Sequence, residues 1–262
     1  MTDAPHVTVL PRARPALANL IAVASGKGGV GKTWLAITLA QALAGAGRRV
    51  LLFDGDLGLA NVDIQLGLAP KLDLGTVLER GLPLDRAIAP APGGFDVVAG
   101  RSGSGSLATV GGPRLRALAD DLAAVAPRYD HTIVDLGAGI ERTVRQLAAW
   151  CATCLVVTTD EPTALTDAYA YIKLAAADDP RRDLRIVVNM ASSPAEGERT
   201  YGTLLKACKS FLKLAPPLAG IVRRDARVKD SIRAQTPTLT RYPTAAAASD
   251  VEAIARRLIA GK

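Results

Sequence analysis

Leu20-Ile21-Ala22-Val23-Ala24-Ser25-Gly26-Lys27-Gly28-Gly29-Val30-Gly31-Lys32-Thr33 is an apolar run that breaks into glycines and closes on a lysine and a hydroxyl. From Gly26 to Thr33 it matches the pattern G-x-x-x-x-G-K-[ST] at every fixed position. The pattern has physical content: a strand feeds a loop whose backbone N–H groups converge on phosphate oxygens at a helix N-terminus. Glycines permit the close wrap, Lys32 brings positive charge to the β- and γ-phosphates, and the Thr33 hydroxyl is placed for Mg2+. A nucleoside triphosphate with Mg2+ is therefore the expected ligand.

Outward from this stretch, the chain alternates short apolar runs with longer amphipathic segments. Strands are predicted at Leu20–Ser25, Val50–Asp54, Phe95–Ala99, His131–Asp135, Cys154–Thr159, Leu184–Asn189 and Leu218–Val222. Their Val and Ile content is that of strands buried on both faces. Helices are predicted over Lys32–Ala46, Pro113–Ala126, Ile140–Trp150, Thr163–Ala177 and Glu196–Leu212. The alternation implies an α/β fold: a doubly wound, mostly parallel sheet of seven to eight strands with helices on both faces. Residues 1–17, proline-bearing and without hydrophobic periodicity, read as a flexible arm; residues 18–262 read as one domain. Gly100–Pro113 reads as a loop, because the alternation resumes after it.

Composition narrows the classes. With 262 residues, 49% hydrophobic and 22% charged, most of the chain is not disordered. The longest uncharged run, Thr33–Gly47, falls short of the roughly 20 apolar residues that span a bilayer. No secretory signal is visible in Met1–Arg14, and the odd cysteine count, three, suits a reducing compartment. The expected location is cytoplasmic. A net charge of +7 is compatible with attraction to nucleic acid or anionic lipid, and equally with a solvated basic face.

Two acidic motifs extend the phosphate loop. Leu51-Leu-Phe-Asp54-Gly-Asp56 sets two acids at the carboxyl end of the second strand, the edge where open α/β sheets bind ligands. His131-Thr-Ile-Val-Asp135 is an apolar strand ending in an acid, which places Asp135 near Mg2+ through water. By contrast, Cys151-Ala-Thr-Cys154 has redox or zinc spacing but no second Cys or His pair, and reads as buried packing.

A second lysine at the loop's start, Lys27-Gly-Gly-Val-Gly-Lys32-Thr33, resembles the deviant phosphate loop of the MinD/ParA ATPases. The segments Asp54–Leu68, Asp135-Leu-Gly-Ala-Gly139, Thr158–Lys173 and Val188–Leu212 are similar to the FlhG/FleN branch, which regulates flagellar number and placement. The resemblance covers about residues 18 to 260. It implies slow, Mg2+-dependent ATP hydrolysis by a homodimer that forms with ATP. It also implies that Lys27 reaches the partner's phosphates, that Asp56 positions the attacking water and that Asp54 lies near Mg2+. Asn189, ending Leu184–Asn189, would read the adenine edge, and Asp225 would sit near the base.

The same resemblance implies flagellar or other polar assembly proteins as partners, with a peripheral place on the inner face of the cell membrane. The amino-terminal stretch lacks the short Gln-, Leu- and Arg-bearing helix that stimulates FlhF, which argues against pairing with that GTPase. Alternative readings are a ParA-like positioning ATPase for another polar or nucleoid cargo, and a nucleotide-binding scaffold with negligible hydrolysis. The basic residues Arg223, Arg224, Arg227, Lys229, Arg233 and Arg241 are a DNA-binding set or a solvated face; the latter is expected. The last helix, with Val251, Ile254, Leu258 and Ile259 at helical spacing, is expected to dock on the domain rather than anchor to lipid. Trp34 departs from the family, which carries a small or polar residue there. It either packs under its helix, the expected arrangement, or lies near the α-phosphate.

Overall fold

The computed structural model describes residues 16–101 and 111–261. Eight strands form one sheet: β1 (Leu17–Ser25), β2 (Val50–Gly55), β3 (Ile88–Ala91), β4 (Phe95–Val98), β5 (His131–Ala138), β6 (Cys151–Thr158), β7 (Asp183–Ala191) and β8 (Leu218–Arg223). Their spatial order is β3-β4-β2-β5-β1-β6-β7-β8, parallel throughout except for β3, which pairs antiparallel with β4. Strand β3 is the element the sequence pattern does not announce. Its Ile-Ala-Pro-Ala sequence carries a proline, a residue confined to sheet edges, and it sits on the edge.

The helices are α1 (Lys32–Gly45), α2 (Val62–Leu66), α3 (Leu74–Arg80), α4 (Gly112–Val125), α5 (Arg142–Ala148), α6 (Pro162–Asp178), α7 (Pro194–Ala207), α8 (Ala226–Arg233), α9 (Thr238–Arg241) and α10 (Ala246–Ile259). The sheet buries an apolar cluster on each face. One holds Phe53, Leu118, Leu122, Ile172 and Tyr171; the other holds Trp34, Leu35, Leu39, Leu43, Val251 and Ile254. Helix α1 is buried nearly all round, from Trp34 through Leu43, because the sheet lies on one side and α10 on the other.

Two expectations are adjusted. The arm was expected to reach residue 17, but Leu17 already belongs to β1: its N–H donates to the Trp150 carbonyl (2.9 Å). The rest of that arm, and the FlhF-pairing question with it, lies outside the described residues. The long helix expected over Glu196–Leu212 is instead α7 followed by one π-helical turn, Cys208–Leu212. The turn lets Lys213, at φ 58°, redirect the chain toward β8.

The cysteines pack as expected. Cys151 and Cys154 are both buried in the core, and the Cys154 thiol contacts the Tyr171 hydroxyl at 3.6 Å. Burial pushes both thiols above their ordinary range, Cys154 to about 11, so neither is a ready nucleophile. Helix α10 docks through Ala247, Val251, Ile254 and Ala255, and Arg257 donates to the Ala219 carbonyl (2.8 Å). Its apolar stripe is therefore spent on the core. No helix among the described residues is long and apolar enough to cross a membrane.

A nucleotide cleft at the carboxyl edge of the sheet

All strand ends that carry predicted site residues meet at one sheet edge. From β1, Ser25 leads into Gly26–Gly31, and its hydroxyl donates to the Lys27 carbonyl (2.6 Å), which starts the wrap. Two glycines are sterically required. A Cβ on Gly26 would overlap the Asp167 backbone of α6, and one on Gly31, which sits at φ +87°, would fall 2.5 Å from the Asn189 amide nitrogen. The loop delivers the chain into α1, whose first turn carries no acid, so its free N–H groups face an anion site.

Charge is concentrated beneath that loop. Lys32 is buried, and its burial lowers its pKa against the attraction of Asp135 and Asp56. Asp54 on β2 and Asp135 on β5 are register partners on adjacent strands, and both are buried. Burial first, then the repulsion of neighbouring carboxylates, raises both well above the usual carboxylate range. Asp54 accepts from the backbone N–H groups of Asp56 and Val62 (both 3.2 Å), so its oxygens hold the following segment in place. The Thr33 hydroxyl lies near enough to Asp135 to oppose that rise, and the Asp135 Oδ1 has no hydrogen-bond partner.

A buried, unpartnered carboxylate oxygen next to a hydroxyl and a second carboxylate is the donor set of a hydrated Mg2+ site. The residues present thus fit the ion expected from the sequence. Asp56 extends from the strand end toward the cleft, its Oδ1 fixed by the N–H groups of Gly58 (3.2 Å) and Leu59 (2.9 Å).

The other end of the cleft is built differently. Asn189, at the end of β7, is 2% exposed and donates its amide to the Val30 carbonyl (2.8 Å), tying this end to the phosphate loop. Asp225 caps α8, accepting from the N–H groups of Arg227 and Ala246 (3.0 Å each). The Arg227 guanidinium, 2.8 Å away, helps hold its carboxyl down at about 2. The two ends enclose a cleft of about 600 Å3.

Of the predicted residues, Gly28, Gly29, Gly31, Lys32, Thr33, Trp34, Asp56, Asn189 and Asp225 line that cleft. Gly26, Val30, Asp54 and Asp135 support it from behind. Lys27 points out of it: its ammonium binds Glu161 and the Thr163 hydroxyl on α6 (2.6 Å each). Trp34 packs in the core, as expected, 5% exposed with its indole N–H on the Thr238 hydroxyl (2.8 Å), and it also borders the cleft.

Sequence reasoning missed Met190, Val228 and Ile232 of the base wall, and Leu59, Asn61 and Gln65 at the mouth. The legible signal was the i, i+4 spacing of Val228 and Ile232 in α8; nothing local marked Leu59, which is 74% exposed. The basic set divides. Arg223, Arg227 and Arg241 are ion-paired with Asp250, Asp225 and Asp230 respectively, while Arg224 and Lys229, together with the paired Arg223, sit on the cleft wall.

Comparison with known proteins places this geometry. Residues 21–238 match the CobQ/CobB/MinD/ParA nucleotide binding domain. The chain belongs to that family. It is 38% identical to the antiactivator FleN of Pseudomonas aeruginosa over 92% of its own length and 86% of the relative's. It is 32% identical to the flagellum site-determining protein YlxH of Helicobacter pylori, covering 82% of this chain and 73% of that one. Among solved structures, the septum site-determining protein MinD of Pyrococcus horikoshii, complexed with Mg-ADP, superposes with a TM-score of 0.78. That match covers 94% of this chain and 98% of the other at 21% identity, and it shows a shared fold. FleN- and YlxH-like sequence and a MinD-like fold thus agree with the flagellar branch read from the motifs.

Proposed function

We propose that the protein is an ATP-driven dimerisation switch that hydrolyses ATP and regulates flagellar number or placement. The observation that carries the catalytic part is the convergence of Lys32, Thr33, Asp54, Asp56 and Asp135 at one sheet edge, with a buried oxygen of Asp135 left for a hydrated cation. Thr33, with Asp54 and Asp135 through water, would hold Mg2+, which neutralises charge on the phosphates. Lys32 and the N–H groups of Gly28–Thr33 hold the phosphate oxygens. Asp56, turned toward the cleft by Gly58 and Leu59, orients the attacking water.

The dimer part rests on Lys27. Its ammonium does not serve its own cleft; Glu161, whose side chain is 63% exposed, holds it on the surface. In a second copy facing the cleft, Lys27 exchanges Glu161 for the partner's phosphates, supplying transition-state charge in trans. Leu59 and Ile64, both exposed beside the cleft, provide apolar area for that face. ATP then stabilises one association state, and the surface seen by flagellar assembly partners exists only in that state.

The flagellar assignment is supported by the similarity to FleN and YlxH. The DNA-associated alternative is disfavoured by the ion pairs that occupy Arg223, Arg227 and Arg241. The scaffold alternative, which the unusual Trp34 raised, is disfavoured because that side chain is 5% exposed and held by Thr238. Phosphate release measured against protein concentration is the test. The specific rate is expected to rise with concentration and to vanish in Asp56→Ala; a wild-type rate equal to the blank overturns the enzyme reading.

A further inference from the structure

Helix α8 walls the base end of the cleft with Val228, Lys229 and Ile232, yet Ser231 is its one buried residue. Apolar anchoring is partial, Val228 and Ile232 being half-buried against the core, and polar contacts complete the placement of the helix. Ser231, 1% exposed, places its hydroxyl 2.7 Å from that of Thr238, 2% exposed, at the start of α9. Thr238 in turn accepts the indole N–H of Trp34, one residue beyond the phosphate-loop threonine (2.8 Å). Two turns along the same face of α1, Gln41 repeats the attachment. Its amide donates to the Thr240 hydroxyl (2.7 Å), and its carbonyl accepts from the Leu239 N–H (3.2 Å).

We propose that Trp34 is a positioning residue that sets the width of the base end of the cleft, acting on α8 through Thr238 and Ser231. The chain Trp34–Thr238–Ser231 clamps the base wall to the helix that holds the phosphates, so the two ends of a nucleotide meet surfaces at a fixed separation. A hydrogen-bond chain sealed from water strengthens each link, and a lost link leaves a buried hydroxyl short of a partner. The inference rests on the nucleotide reading of the cleft. It concerns the base and sugar end only, so ligands that touch the phosphate loop alone are indifferent to it.

The test is calorimetric titration of the full chain with Mg·ADP and, separately, with Mg·pyrophosphate. Wild type is compared with Trp34→Phe, Thr238→Val and the double variant, each with a urea midpoint. Loss of one hydrogen bond predicts an ADP Kd raised about threefold to tenfold in each single variant. The double variant is expected to be no worse than either single one, and pyrophosphate binding to be unchanged in Thr238→Val, whose side chain lies outside the cleft lining. In a Trp150→Phe background, Trp34 emission is expected to shift on ADP binding and to stay still with pyrophosphate. Unchanged ADP affinity in both single variants overturns the proposal. So does an equal loss for ADP and pyrophosphate, which would mark Trp34 as a general packing residue. A wild-type chain that binds neither ligand overturns the nucleotide reading, and the clamp with it.

Discussion

The two ends of the cleft reach the same purpose by opposite means. At the phosphate end, charges are buried at the tips of central strands: Lys32, Asp54 and Asp135 are each less than 10% exposed, and Asp54 and Asp135 are held side by side by sheet register. At the base end, a short helix is held by a cap, a surface ion pair and a string of hydroxyls running back to α1. The phosphate end is preorganised by the core and costs stability through buried like charges. The base end is hung on local polar contacts and is the softer of the two.

The largest predicted effect tests the first half of that contrast. Lys32→Ala removes the one buried cation from a site with two buried carboxylates. Affinity for Mg·ADP should fall about 100-fold or more, by calorimetry. Next is Gly31→Ala, which joins the two ends. Its Cβ would meet the Asn189 amide in a left-handed backbone conformation. A stability loss of about 1–2 kcal/mol is expected in urea melts, together with weaker binding of both ADP and pyrophosphate.

The pH dependence separates the ends without mutation. Asp54 and Asp135 have folded-state pKa values raised above their unfolded ones, so the folded chain binds more protons across that window. Nucleotide-free stability should therefore fall as pH rises from the ordinary carboxylate range through the raised values. Mg2+ needs both groups ionised, so Mg·ADP affinity should strengthen from about pH 6 to about pH 8. Metal-free ADP affinity should show less of this trend. At the base end, Asp225 is held low by Arg227 and contributes nothing to that window. The smallest effect falls there: Asp225→Ala removes the cap of α8 and costs about 1 kcal/mol. ADP binding should drop a few-fold with pyrophosphate untouched.

How far each end could be read from the sequence follows the same division. Gly26–Thr33, Asp54 and Asp135 were legible because a wrapped backbone, a positive φ and a carboxylate at a strand tip each restrict the residue type in a local pattern. The parallel core was legible for the same reason, through runs such as Leu184–Val188. What was not legible depends on contacts between distant positions. Nothing in a local window says that Trp34 meets Thr238, that Gln41 meets Thr240, or that Lys27 is parked on Glu161. Strand β3 escaped because a proline-bearing edge strand has no apolar alternation to announce it.

The account stands on Lys27 serving a partner's cleft rather than its own. Light scattering after size exclusion, with ATP·Mg2+, with ADP and without nucleotide, tests this on wild type, Asp56→Ala and Lys27→Ala. The predicted result is a wild-type dimer only with ATP, a trapped dimer in Asp56→Ala and a monomer in Lys27→Ala that still binds ATP. Wild type and Asp56→Ala remaining monomeric while binding ATP, or Lys27→Ala dimerising like wild type, would contradict it.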